Sequence, residues 1–226
     1  MIKFLSFADG ISLLNASFGF LAILIISSDI ILSYDMRIRI SFSFILLALL
    51  ADGLDGIIAR KTHTGELGEY LEAMADMTSM AIAPSVFVYY VYSEVASEIS
   101  WQIALFVILI LFVTCSAIRL SSFHLMKEET FFVGLPASAT TLFLLIAAFL
   151  KIKFPFILLL IVVLSIATIS NIRFPKLGLR VNTIAAILII LTLVVGEIYY
   201  NIAPLLLVFT LAIYALVGPF YVRRKF

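Results

Sequence analysis

The sequence predicts an all-α, polytopic membrane protein built as a bundle of about eight transmembrane helices. Of its 226 residues, 64% are hydrophobic, whereas a soluble domain is nearer half apolar. Apolar windows of about 18–25 residues recur along the chain, and each is long enough to cross the roughly 30 Å hydrocarbon core of a bilayer. A soluble core could not hold this much Leu, Ile, Val and Phe. We therefore expect a single integral membrane domain over residues 1–226.

The apolar windows give the expected spans in chain order. They are Ile11–Leu32, Ile40–Arg60, Gly68–Tyr92, Trp101–Met126, Phe132–Leu150, Phe154–Ile172, Val181–Tyr199 and Ile202–Val222. The last two are separated by only a few residues and should form a helical hairpin. Pro84, Pro136 and Pro155 are expected to kink or begin spans, since proline lacks the N–H that an α-helix interior requires.

The distribution of positive charge predicts the orientation. An even number of spans puts both termini on one side of the membrane. With the N-terminus inside, eleven of the 15 Lys and Arg residues lie on the inner side, and Arg37, Arg39, Lys151 and Lys153 lie outside. Cytoplasmic segments of membrane proteins carry the excess of Lys and Arg. We therefore expect a cell-membrane protein with both termini in the cytoplasm.

The composition also argues against two other features. The single Cys115 cannot form a disulfide within one chain and is expected to be a small buried hydrophobe. No basic stripe and no zinc-ligand spacing is present, so no nucleic-acid partner is expected.

Four carboxylates in or beside the second and third windows are the candidate functional residues: Asp52, Asp55, Glu72 and Asp76. A charge at bilayer depth costs at least about 2.5–3.5 kcal/mol on insertion scales, so it usually indicates function. On a helix, Asp55 lies about 60° from Asp52, and Glu72 and Asp76 share a face at i and i+4. We expect the two helices to bring these acids around one water-accessible hole at the cytoplasmic side.

Small residues and a fixed positive charge accompany the acids. Gly56 and Ala59 lie close to the face of Asp52, and Arg60 follows near the membrane boundary. Gly68 stands one turn before Glu72. Glycine and alanine leave a cleft in which a phosphate can approach the backbone, and the arginine fork suits phosphate oxygens.

Divalent metal ions would make such a cluster of acids tolerable. Desolvation and mutual repulsion would otherwise force protonation of four neighbouring carboxylates. Ligands that are all oxygen suit hard cations such as Mg²⁺ or Mn²⁺. Two such ions about 3.5–4 Å apart can clamp a diphosphate and activate an attacking hydroxyl.

The pattern Asp52-x-x-Asp55-Gly56-x-x-Ala59-Arg60 … Gly68-x-x-x-Glu72-x-x-x-Asp76 resembles the signature of the CDP-alcohol phosphatidyltransferases. That family transfers a phosphatidyl-type group from a CDP-linked lipid to an alcohol, with release of CMP. The resemblance implies that the four acids ligate two metal ions and that Asp76 also deprotonates the acceptor. It implies that the CDP moiety is held by Gly56, Ala59, Arg60 and Gly68. The chain departs from the signature in carrying Glu72 for aspartate and a link of seven residues, rather than eight, between Arg60 and Gly68.

Further segments resemble the phosphatidylserine synthase branch, including archaetidylserine synthases. They are Met77–Pro84, Ala117–Leu120, Phe132–Pro136 and Ser170–Pro175. The resemblance implies CDP-diacylglycerol or CDP-archaeol as donor, L-serine as acceptor and membrane lipids as surroundings. It also implies a six-helix family core followed by a C-terminal hairpin, and a homodimer.

Two polar residues within the spans have alternative roles. Arg119 could bind the serine carboxylate or a lipid phosphate, or it could be a cation that reaches the interface. Asn15 could hydrogen-bond the cytosine or ribose, or it could form an interhelical hydrogen bond.

Other functions stay open at this stage. Inositol phosphate or glycerol phosphate could replace serine as acceptor, although such acceptors need additional basic residues in the pocket. A cation-coupled transporter also uses carboxylates within the membrane, and the departures from the signature leave room for an inactive relative.

Overall fold

The computed structural model describes residues 6–29, 33–59, 67–96, 98–122, 130–176, 178–195 and 202–225. Within these ranges the chain is mostly helical, in agreement with the predicted all-α membrane protein. Three described helices are long and apolar enough to cross a bilayer: Phe7–Ser27, Ile99–Ser122 and Ile202–Val222. Shorter apolar helices lie at Ala137–Phe149, Phe154–Ile169 and Val181–Val194.

The helices and strands of the described part overlap all eight predicted windows. The helices are α1 Phe7–Ser27, α2 Tyr34–Ala59, α3 Gly68–Asp76, α4 Ala83–Tyr92, α5 Ile99–Ser122, α6 Ala137–Phe149, α7 Phe154–Ile169, α8 Leu179–Val195 and α9 Ile202–Lys225. A π-helical segment, Met77–Ile82, joins α3 to α4 without a break. Two short strands, β1 Phe131–Val133 and β2 Arg173–Pro175, complete the described elements.

Helix α1 packs against both α2 and α3 and so supports the two helices that carry the acids. It begins with a capping box, in which Ser6 and Asp9 satisfy each other's backbone N–H groups. Further along α1, Gly19 allows the backbone of Ser79 in the π-helical segment to approach closely, since a Cβ at Gly19 would lie 2.7 Å from the Ser79 Cα. The Ser41 hydroxyl of α2 donates a hydrogen bond to the Ala22 carbonyl at 2.9 Å.

The π-helical segment has an identifiable local cause in Pro84. Proline has no N–H and its ring clashes with the carbonyl four residues earlier, so a regular α-helix cannot continue through it. That carbonyl belongs to Met80, and it accepts a hydrogen bond of 2.7 Å from the Thr141 hydroxyl of α6. A side chain of α6 thus hydrogen-bonds the carbonyl that the Pro84 ring would crowd in an α-helix, and this bond ties α6 to the π-helical segment.

Strands β1 and β2 form an antiparallel two-stranded ribbon with Phe132 opposite Phe174. The expectation that a helical span begins at Phe132 is therefore wrong, because α6 begins only at Ala137. Gly134 follows the last residue of β1 and has φ +77°, a conformation that glycine adopts without steric cost. A Cβ at this position would also overlap the Thr168 carbonyl oxygen of α7.

The apolar core lies between the helices, and the C-terminal helix closes it beside the ribbon. Phe42 of α2 stacks on Phe149 of α6 with ring centroids 4.1 Å apart, and Phe87 of α4 is fully buried beside it. Helix α9 packs against β2. The predicted helical hairpin thus contacts the core, rather than standing apart from it.

We predict opposite effects of alanine at two glycines of α1. Gly10→Ala should raise stability by up to about 1 kcal/mol, because alanine is the better helix former and the added Cβ meets open space. Gly19→Ala should lower stability by about 1–3 kcal/mol, because the Cβ must displace the backbone of Ser79. Thermal unfolding of the purified protein in detergent measures both. A stabilising Gly19→Ala would contradict the close packing of α1 on the π-helical segment.

Candidate metal and substrate site

Three of the four predicted acids converge. Asp52 of α2 and Glu72 and Asp76 of α3 each offer a carboxylate oxygen, and these three oxygens all lie within 4.8 Å of one another. The side chain of Asp55 lies outside the described residues. A compact set of carboxylate oxygens fits a hard divalent cation such as Mg²⁺ or Mn²⁺. Spacing at i and i+4 aims Glu72 and Asp76 the same way, and Asp52 faces them from the neighbouring helix.

Asn15 of α1 holds the innermost acid. Its Nδ2 donates a hydrogen bond of 3.0 Å to Oδ1 of Asp76. Asn15 is completely buried, and Asp76 is only 9% exposed. Of the two roles left open for Asn15, the structure shows the interhelical hydrogen bond, while contact with a nucleotide stays a prediction. The bond fixes the orientation of the Asp76 carboxylate and ties α1 to α3.

A cavity of about 150 Å³ adjoins the acid cluster. It lies between the acid-bearing helices, the end of α5, the ribbon and the beginning of α6. Its lining residues are Asp52, Glu72, Ala73, Asp76, Met80, Arg119, Leu120, Phe132, Pro136, Ala137 and Ser138. The space suits a small polar group next to the carboxylates.

Arg119 brings positive charge to the cavity from the last turn of α5. It is only 6% exposed, so the protein surrounds it, while its role in substrate binding stays a prediction. Among the described residues that line the cavity, it is the one cation. The cavity therefore has an acidic side, at Asp52, Glu72 and Asp76, and a basic side at Arg119. Such a site can bind a metal ion and an anionic group next to each other.

The beginning of α6 adds to the basic side. Pro136 stands at the N-cap, and Ala137 and Ser138 in the first turn also line the cavity. The first backbone N–H groups of a helix have no partner within the helix and carry the positive end of its dipole. This end of the cavity therefore favours negative charge.

The other predicted residues are placed less completely. Gly56 and Ala59 lie in the last turns of α2, but their surroundings are not among the described features. The whole of Arg60 lies outside the described residues. Gly68 is the first residue of α3, so it begins the helix that carries Glu72 and Asp76.

Sequence reasoning did not place Phe132, Pro136 or Ser138 at the site. The segment Phe132–Pro136 stood out only as a resemblance to one branch of a family, with no position in space. Its part in the cavity arises because β1 pairs with β2 some forty residues later in the chain. That pairing leaves no local pattern in the sequence.

Comparison with known proteins bears on this geometry. The profile of the CDP-alcohol phosphatidyltransferases matches residues 5–217. The chain belongs to this family. The match covers the carboxylate cluster, the ribbon and most of α9. The family and the transferase class predicted from the acid signature are both confirmed.

Individual relatives carry names from the serine branch of the family. A CDP-diacylglycerol–serine O-phosphatidyltransferase of Methanocaldococcus jannaschii is 30% identical over 77% of this chain and 76% of its own length. An archaetidylserine synthase of Methanothermobacter thermautotrophicus is 31% identical over 80% of this chain and 75% of its own. A CDP-diacylglycerol–serine O-phosphatidyltransferase of Helicobacter pylori is 29% identical over 66% and 68%, respectively.

We predict that Mn²⁺ stabilises the protein through the acid cluster. A ligand at 100 times its dissociation constant adds about 2.7 kcal/mol to the free energy of unfolding, so EDTA should lower the thermal unfolding temperature and Mn²⁺ should restore it. Glu72→Gln should need at least about tenfold more Mn²⁺ for the same shift. The control is Asp35→Asn, which removes an exposed acid at the other end of α2. Equal Mn²⁺ responses in wild type and Glu72→Gln would rule out this site.

We also predict energetic coupling between Asn15 and Asp76. Asn15→Ala should destabilise the protein by about 1–3 kcal/mol, because a buried carboxylate oxygen loses its donor. When Asp76 is already replaced by Asn, Asn15→Ala should cost less, since the charged acceptor has been removed. A double-mutant cycle in metal-free detergent solution measures the difference. Strictly additive effects would show that this hydrogen bond contributes nothing specific.

Proposed function

We propose that this protein transfers a phosphatidyl-type group from a CDP-lipid to L-serine and releases CMP, in membrane phospholipid synthesis. One observation carries the proposal: the converging oxygens of Asp52, Glu72 and Asp76 share a cavity with the buried Arg119. The family is one of CDP-alcohol transferases, and the names of its relatives include serine as acceptor. The lipid donor is either CDP-diacylglycerol or CDP-archaeol.

The acids are proposed to hold two Mg²⁺ or Mn²⁺ ions. Asp52, Glu72 and Asp76 are the described ligands, and Asp55 joins them by resemblance to the family signature. When bound, the ions supply positive charge that offsets the negative charge of the diphosphate and of the departing CMP. The oxygen-only donor set of the described cluster supports this assignment.

Asp76 is proposed to take the proton of the acceptor hydroxyl. The freed serine oxygen forms a bond to the lipid-side phosphorus, and the bond from that phosphorus to the bridging oxygen of CMP breaks. Asn15 supports this step, because its hydrogen bond to Oδ1 holds the Asp76 carboxylate in one orientation. Positioning and electrostatic stabilisation provide most of the rate enhancement in phosphoryl transfer.

The basic side of the cavity is proposed to bind the acceptor. Arg119 can pair with the serine carboxylate through two parallel hydrogen bonds, and the first N–H groups of α6 favour the same negative charge. By resemblance to the family, the CDP moiety is proposed to be held by Gly56, Ala59, Arg60 and Gly68.

The proposal extends to the architecture. The eight predicted windows, each overlapped by described helices, are proposed to be eight spans of one domain over residues 1–226. Both termini and the active site face the cytoplasm, as the positive charges predict. The functional unit is proposed to be a homodimer in the cell membrane.

Serine is proposed over phosphorylated acceptors because the relatives named above carry serine in their names. Arg119 brings positive charge to the cavity, and one guanidinium can pair with the single carboxylate of serine. Inositol phosphate or glycerol phosphate would bring a second phosphate near the donor diphosphate and would need further cations.

We predict that purified protein releases CMP from a CDP-lipid only when both Mn²⁺ and L-serine are present. Asp76→Asn should lower turnover by at least about 100-fold, since it removes the general base, while binding of the CDP-lipid persists. The measurement is CMP release with serine, glycerol phosphate or inositol phosphate as acceptor, together with product mass. The exposed-acid variant Asp35→Asn is the control and should keep full turnover.

Each contrary outcome identifies a different error. Faster CMP release with a phosphorylated alcohol would replace serine as the acceptor. Unchanged turnover in Asp76→Asn would remove that residue from the mechanism. Absence of metal-dependent CMP release with every acceptor would favour a cation-coupled transporter or an inactive relative.

A further inference from the structure

The ribbon forms one wall of the cavity. Phe132, in β1, lines the cavity and stands opposite Phe174 of β2 in the strand register. The Lys176 ammonium lies over the Phe132 ring, 5.1 Å from its centroid. The backbone N–H of Lys176 donates a hydrogen bond of 3.2 Å to the Thr130 carbonyl. The position of Phe132 therefore depends on how β2 is held.

Helix α9 holds β2 through Tyr214. The Tyr214 hydroxyl donates a hydrogen bond of 3.2 Å to the Pro175 carbonyl at the end of β2. Its ring also packs against Phe174, with centroids 6.0 Å apart. One turn later, Gly218 lets the Pro175 ring approach, since a Cβ there would lie 2.9 Å from the Pro175 Cδ. Tyr214 and Gly218 thus hold the end of β2 against α9.

The ribbon continues directly into the basic side of the cavity. Gly134 follows β1, and its N–H donates a hydrogen bond of 2.8 Å to the Ile172 carbonyl just before β2. Pro136 and the first turn of α6, which line the cavity, come next along the chain. The strand that Tyr214 holds is therefore paired with the segment that leads into the basic side of the cavity.

We propose that Tyr214 is a positioning residue for the acceptor side of the active site. Through Pro175 it fixes the ribbon that carries Phe132 and leads into the beginning of α6. The proposal rests on the proposed function, in which the basic side of the cavity binds the serine carboxylate. It assigns the C-terminal helix, which carries none of the signature residues, an indirect part in acceptor binding.

The chain offers a matched control in Tyr92. Its hydroxyl also donates to a backbone carbonyl, that of Ile152, at 2.6 Å. Tyr92 lies 16 residues beyond Asp76 in continuous helical structure, which at a rise of about 1.5 Å per residue is roughly 24 Å away. Tyr214→Phe and Tyr92→Phe therefore each remove one phenol–carbonyl hydrogen bond, the first beside the cavity and the second far from it.

Two measurements on purified full-length protein test the proposal. The first is amide hydrogen exchange over residues 130–136 and 172–176, which should become about fivefold faster in Tyr214→Phe and stay unchanged in Tyr92→Phe. The second is steady-state CMP release. In Tyr214→Phe the KM for L-serine should rise about five- to tenfold, while the KM for CDP-lipid and the Mn²⁺ requirement stay at wild-type values. In Tyr92→Phe all three should be unchanged.

The outcomes separate this proposal from the one on which it rests. Unchanged exchange at the ribbon in Tyr214→Phe would overturn the positioning role whatever the activity. Faster exchange with an unchanged KM for serine, or an equal rise in both KM values, would overturn the link to the acceptor. A wild-type protein that releases no CMP would overturn the proposed function instead, and the exchange comparison alone would then decide whether Tyr214 fixes the ribbon.

Discussion

Mutual repulsion among Asp52, Glu72 and Asp76 is the constraint that the surrounding structure has to satisfy. With oxygens less than 4.8 Å apart, each ionised pair repels by at least about 3 kcal/mol at an effective dielectric constant of about 20. Several helices place groups of opposite polarity next to these acids. Asn15 donates to Asp76 from α1, Arg119 faces the cavity from α5, and α6 presents its N-terminal end. These groups offset part of the repulsion among the acids.

The helix that carries Glu72 and Asp76 is held in place by an interhelical hydrogen bond and by close backbone packing. Pro84 interrupts the α-helical pattern, and the Thr141 hydroxyl of α6 donates a hydrogen bond to the Met80 carbonyl, four residues before that proline. Gly19 brings α1 close to the same segment. Apolar side chains gain little by leaving lipid for each other, so close backbone contact and interhelical hydrogen bonds determine which helices associate. These contacts help to hold the helix that carries Glu72 and Asp76 against α1 and α6.

Local patterns explain what the sequence could predict. The helices could be predicted from apolar windows because length and hydropathy are properties of a continuous stretch of sequence. The i, i+4 spacing of Glu72 and Asp76 likewise predicted that they share one face of a helix. Three features had no local pattern. The predicted span that begins at Phe132 includes two residues of β1, and this strand depends on Arg173–Pro175 far along the chain. The burial of Arg119 depends on the helices around α5. The partner of Asn15 lies 61 residues away, so only its capacity for a hydrogen bond was predictable.

The fastening of the ribbon by α9 has a consequence for biosynthesis. Pro175 and Tyr214 are separated by 39 residues, and the intervening chain includes the whole of α8. A nascent chain can therefore insert the helices that bear the acids long before it can fix the wall opposite them. If Tyr214 fixes the ribbon as proposed, the pocket is complete only after the C-terminal helix has left the ribosome and docked, and a truncated product would keep the acid cluster without a finished pocket.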